Sequence, residues 1–100
     1  MARSKKHQDW LIKKLKDHDL AVTYLNEALE ESLKGDAESQ HLFLLALKNV
    51  AEAQGGLGNL AKKAKIGRES LYKTLSEEGN PKWHTLVVLL AALGLNLKFA

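Results

Sequence analysis

The sequence predicts an all-α domain of five helices followed by one short C-terminal strand. Three observations carry that expectation. Apolar residues recur three and four positions apart through long segments, the spacing of one helix face. Glycine, aspartate, asparagine and the single proline fall between those segments, where helices start and stop. After Gly94 the period drops to two, with Leu95, Leu97 and Phe99 alternating with Asn96 and Lys98, which reads as a strand.

One hundred residues, 45% apolar and 27% charged, make one globular domain with a single core. Residues 1–16 form a basic arm and residues 17–100 the helical domain. Residues 1–8 (MARSKKHQ) read as loose, and Trp10, Leu11 and Leu15 as the start of a short amphipathic segment docked on the body. Trp10 reads as its core anchor, with an interface hot spot as the alternative. Asp19 caps a helix over 20–33, with Leu20, Tyr24, Leu25, Ala28 and Leu29 on its apolar stripe. Gly35 ends it. Asp36 caps the next helix, 37–54, with Leu42, Leu45, Ala46, Val50 and Ala53 on one face. Phe43, Leu44 and Leu47 broaden that face, which makes this the central helix. Gly55-Gly56 closes it.

The organising stretch is 57–78, LGNLAKKAKIGRESLYKTLSEE. It divides into two short helices around a tight turn. The first, over 58–64, turns Leu60, Ala61 and Ala64 inward, and its alanines let a second helix cross closely. In the turn Lys65-Ile66-Gly67, Ile66 is the inward plug and Gly67 supplies the corner's backbone freedom. The second helix starts at Arg68 and buries Leu71 and Leu75, four apart. Arg68, Glu69, Ser70, Tyr72, Lys73 and Ser76 are left outward. This is the layout of a helix-turn-helix whose second helix meets DNA. Arg reads guanine with two hydrogen bonds, Ser bonds a base or a phosphate, and Tyr and Lys suit phosphates. The blander alternative is a solvated polar face.

Gly79 is expected as a left-handed cap after that helix, with Asn80 as N-cap and Pro81 as the first residue of the last helix, about 82–93. Trp83, Leu86, Val87, Leu90 and Leu93 point inward there, and Gly94 stops it. The terminal strand has no partner in its own chain. It is expected to pair with a second copy through Leu95, Leu97 and Phe99 across a twofold axis, a tail packed on the last helix being the alternative.

Charge falls in blocks. Residues 1–16 carry six basic side chains and one acid, residues 17–54 eight acids and two lysines, and residues 55–100 seven basic side chains and three acids. A basic C-terminal half suits a polyanion, and an acidic middle suits a basic protein. Enzyme chemistry is not expected. His7, His18, His41 and His84 lack metal-ligand spacing, no cysteine joins them, and no nucleophile motif occurs. Gly55-Gly56-Leu57-Gly58 lacks the lysine ending of a phosphate-cradling loop, and Glu30-Glu31 and Glu77-Glu78 suit solvated positions. No cofactor and no metal are expected. The absence of cysteine and of any long apolar run points to a soluble cytoplasmic chain.

With these residues in place, the chain resembles the addiction-module antidote proteins, HigA-like antitoxins with a lambda-repressor-type helix-turn-helix of the XRE family. The stretches that carry it are AVTYLNEALEES, FLLALKNVAEAQGG, LAKKAKIGRESLYKTLSEEGNPKWHTL and LAALGLNL, with RESLYKTLSEEGNP the most specific. Lys65 stands where such turns usually begin with glycine, and Gly67 where a small polar cap is usual. The resemblance implies a type II antitoxin that silences a small basic RelE/ParE-like toxin and represses its own operon as a homodimer on operator DNA. It matches Arg68, Glu69, Ser70, Tyr72 and Lys73 to DNA-reading positions, and Asn59, Lys62 and Lys82 to contacts with the DNA backbone. The toxin would dock on the acidic segment 17–54, with Trp10 beside it. A phage-type repressor without a toxin is the alternative.

Overall fold

A computed structural model of the chain describes residues 5–76 and 79–94, and these form six helices. Helix α1 covers Lys5–Lys14, α2 His18–Ser32, α3 Ala37–Ala53, α4 Leu57–Ala64, α5 Arg68–Thr74 and α6 Trp83–Ala92. Six replaces the five expected, and no strand occurs among the described residues. The expected strand and dimer contact at Leu95, Leu97 and Phe99 lie outside the described residues, as do Glu77 and Glu78.

The additional helix is α1, hidden in the sequence by its basic run. Leu11 and Leu15, four apart, are both buried in the core, and the helix packs on α3. Two polar contacts fix it there. The Gln8 side-chain amide donates to Asn49 Oδ1 at 2.9 Å. The Gln54 amide donates to the carbonyls of Leu15 and Lys16 at 2.7 and 3.1 Å, satisfying acceptors that the end of α1 leaves open. Trp10 is not the anchor. It is 55% exposed, with its ring 5.9 Å from that of His7 and 6.0 Å from the Lys14 ammonium. Neighbouring residues on a helix point about 100° apart, so Trp10 and Leu11 cannot both face the core.

Asp17, rather than Asp19, caps α2, its carboxylate accepting from the Leu20 amide at 3.2 Å. The buried line of α2 runs through Ala21 and Leu25, while Leu20 is left exposed. A small side chain at the contact lets the helix approach α3 closely, so the packing line centres on the alanine and not on the leucine before it. Asp36 caps α3 by accepting from the Ser39 amide at 2.7 Å. Those bonds to Ser39 hold the Asp36 carboxyl below its ordinary pKa. Helix α3 is central: it buries Phe43, Leu44, Ala46, Leu47, Val50, Ala51 and Ala53, and packs on α1, α2 and α4. Leu42 and Leu45, expected inward, occupy its remaining outer strip. Asn49 is buried too, and its amide donates to the Tyr24 hydroxyl at 3.2 Å. One side chain thus joins α1, α2 and α3.

Helices α4 and α5 pack on each other, and α6 packs on α4. Leu57, Leu60, Ala61, Leu71, Leu75 and Leu89 make this end of the core. Burying each such leucine contributes about 1.5–3 kcal/mol. The inward face of α6 is rotated from expectation. Leu89 is fully buried, Leu86, Leu90 and Leu93 are half-buried, and Trp83 and Val87 are exposed. The N-cap of α6 is Lys82, so Asn80 and Pro81 precede the helix. Gly79 is not left-handed. A Cβ at that position would run into the Thr74 carbonyl, so glycine is required there by close approach.

Candidate nucleic-acid interface

The corner between α4 and α5 is made at Lys65, whose backbone is left-handed at φ 57 and ψ 41. The Ile66 amide donates to the Ala61 carbonyl at 3.0 Å and the Lys65 amide to the Lys62 carbonyl at 3.2 Å. This pair of bonds is the Schellman termination, which requires one left-handed residue just past the helix. Gly67, expected to bend the corner, has ordinary extended angles (φ −61, ψ 141) and is the N-cap of α5. The geometry selects the residue that reverses the chain, and that is the lysine. Half-buried Ile66 packs against the core beneath the corner.

Once α5 starts at Arg68, burial of Leu71 and Leu75 fixes its rotation. Arg68, Glu69, Ser70, Tyr72 and Lys73 are then all exposed. The Arg68 guanidinium lies 5.8 Å from the centre of the Tyr72 ring, one turn on. That cation–π contact limits the conformations of the arginine and keeps its donors on the outer face. Thr74 and Ser76 turn back instead, donating to the carbonyls of Ser70 and Lys73, each at 2.7 Å. Ser76 is therefore engaged with its own chain.

On α4, Asn59 and Lys62 are exposed and share one shallow depression of about 460 Å³ with Arg68. The structure thus brings these three together across the corner, with Glu69, Ser70, Tyr72 and Lys73 along α5 beyond the depression. Lys82 stands apart, exposed at the N-cap of α6. Sequence reasoning passed over Lys63 and Lys65, which are exposed in the same short segment. Their signal was available, since residues 62–73 hold five basic side chains and one acid. Such a face attracts a polyanion and offers five-donor, ammonium, hydroxyl and amide groups to it.

Among the described residues, no group of three or more His, Cys, Asp or Glu side chains could hold a metal ion. Among them too, no helix is long and apolar enough to cross a membrane.

Residues 7–100 match the family model described as probable addiction module antidote protein. An uncharacterized protein of Haemophilus influenzae is 35% identical over 97 residues, spanning 88% of this chain and 93% of its own. No solved structure matches the chain. The chain belongs to the family of probable addiction module antidote proteins, and an antidote implies a toxin as its partner.

Proposed function

We propose that the chain silences a small basic RelE/ParE-like toxin and, as a homodimer, represses its own operon through the α4–α5 helix-turn-helix. Two copies place their α5 helices roughly 34 Å apart, one turn of DNA, on a palindromic operator. Arg68, Glu69, Ser70, Tyr72 and Lys73 meet the major groove, and Asn59, Lys62 and Lys82 grip phosphates. Phosphate contacts make the affinity salt-dependent without choosing a sequence, and base contacts from α5 make the choice.

One observation carries this reading. Burial of Leu71 and Leu75 leaves an arginine, a serine, a tyrosine and a lysine exposed on a short helix behind a tight corner. The family membership supplies the toxin half, and the acidic segment 17–54 is the surface suited to a basic toxin.

The test measures binding to labelled DNA from upstream of the gene and to random DNA of equal length. Arg68→Ala is expected to weaken upstream binding by about 1–3 kcal/mol while random binding changes little. Lys62→Ala is expected to weaken both equally and to lower the salt slope by about one. Equal losses for Arg68→Ala on both DNAs would reduce Arg68 to a phosphate contact. No shift of upstream DNA by the wild-type chain would end the repressor reading.

A further inference from the structure

An apolar groove lies between the end of α2, the start of α3 and one flank of α6, away from the basic face of α4 and α5. Leu33, Ala37, Leu44, Val87 and Leu90 are among its lining residues, and its volume is about 870 Å³. None of Asn59, Lys62, Arg68, Glu69, Ser70, Tyr72, Lys73 and Lys82 lines it. Leu33 is 66% exposed and Val87 44% exposed.

Two features give the groove a direction. Helix α6, WHTLVVLLAA, carries no charged residue, yet Leu89 is its one fully buried side chain. Beyond His84 and Thr85 in its first turn α6 is apolar, such a helix is stable when its flanks are covered, and the described core covers one of them. The opposite wall is acidic. Glu30 and Glu31 sit between the lining residues Leu29 and Ser32, and Asp36 and Glu38 flank the lining residue Ala37. All four are exposed, Lys34 pairs with Glu31 at 2.9 Å, and exposed Lys82 stands between the lining residues Pro81 and Trp83 on the α6 side, so Glu30, Asp36 and Glu38 still leave the groove's surroundings net acidic. A second copy would bring the same carboxylates with it. A basic partner would not.

We propose that this groove is the docking site for a basic amphipathic helix of the toxin, apolar side chains entering between α2–α3 and α6 and lysines or arginines meeting Glu30, Asp36 and Glu38. The proposal rests on the antidote reading above and names the surface that reading uses. It is a helix-in-groove mode of recognition, in which apolar anchors supply affinity and the rim supplies partner choice and rate.

The experiment uses the full chain co-expressed with the protein encoded in the adjacent gene, followed by titration of the purified pair. Val87→Asp and Leu33→Asp each place a carboxylate on an exposed groove position, and Ser76→Ala, just past α5, serves as control. Each groove variant is expected to weaken the complex about 30-fold or more, the size of an interface hot spot. Glu30→Gln with Glu38→Gln is expected to weaken it several-fold, with the loss shrinking at high salt. Ser76→Ala is expected to change nothing in this assay, and the mass and melting temperature of the variants alone are expected to match the wild type.

A wild-type complex that both groove variants leave intact would overturn the groove while the antidote reading stands. A variant that changes the mass of the lone protein and keeps the complex would give the groove to a second copy. A variant that lowers only the melting temperature would give it to residues of the same chain. Failure of the wild-type chain to bind the adjacent protein would instead strike the antidote reading itself.

Discussion

The two ends of this domain are held together by different means. In the α1–α3 half, polar side chains are engaged in the fold: Asp17 and Asp36 cap helices, Asn49 links Gln8 to Tyr24, and Gln54 closes the end of α1. In the α4–α6 half, none of the three helices has a side-chain cap bond, and the core there is leucine and alanine. Among its described residues the polar side chains of α4 and α5 are on the outside, with Thr74 bonded back to its own helix. A surface meant to bind a ligand keeps its donors and acceptors free for that ligand. The α4–α5 face has that property, and the Gln8–Asn49–Tyr24 chain inside the other half has the opposite one, although Asn26 Oδ1 on α2 is buried there without a partner.

If the second half depends on apolar packing alone, a cavity in it should be the most damaging change. Leu71 is fully buried, so Leu71→Ala is expected to cost about 3 kcal/mol in denaturant unfolding and to abolish DNA binding with it. A loss under 1 kcal/mol would mean that α5 is not held by that contact. The polar half has its own weak point. Asn49→Ala strands the Gln8 amide and the Tyr24 hydroxyl, and is expected to cost about 2 kcal/mol. Fraying of α1 should follow, visible as loss of amide protection in residues 5–14 while α5 keeps its own.

A smaller effect of opposite sign belongs to the corner. Lys65→Gly removes the steric cost of a left-handed lysine and is expected to stabilise the chain by about 0.5–1 kcal/mol in thermal unfolding. Destabilisation would show that the lysine side chain supports the corner. The smallest effect is the cap at Asp36. Its carboxyl is held below the ordinary pKa by the Ser39 bonds, so its contribution is present above about pH 4 and is lost as pH falls through the lowered folded value. The melting difference between wild type and Asp36→Ala should be a few degrees at neutral pH and should narrow on acidification. A constant difference would remove the charge from the explanation.

The same contrast explains what could be read in advance. Helices set by caps and glycines were legible: Asp36, Gly35, Gly55-Gly56 and Gly94 all mark real boundaries. The inward line of α5 was legible because two leucines four apart leave no other rotation. Helix faces rich in leucine on several sides were not. Leu20, Leu42, Leu45 and Val87 have the right chemistry for a core and lie outside it, because the neighbouring helix decides the rotation. Helix α1 was obscured by its lysines, although Leu11, Leu15 and Gln8 carry the information. The sequence points to Gly67 for the corner because glycine is the usual left-handed residue, whereas the hydrogen bonds demand that conformation at Lys65, one residue past α4. The groove was invisible in one dimension, since its walls come from the three separate helices α2, α3 and α6.

The central claim is that one chain carries two separable surfaces, a basic one on α4–α5 and an acidic, apolar one on α2, α3 and α6. The most direct measurement is the mass of assemblies formed by the Arg68→Ala, Lys73→Ala double variant with the adjacent-gene protein and with upstream DNA. The account predicts a variant that still binds the protein at wild-type strength and no longer selects upstream DNA. A variant that loses both partners together, or that keeps its DNA selectivity, would contradict it.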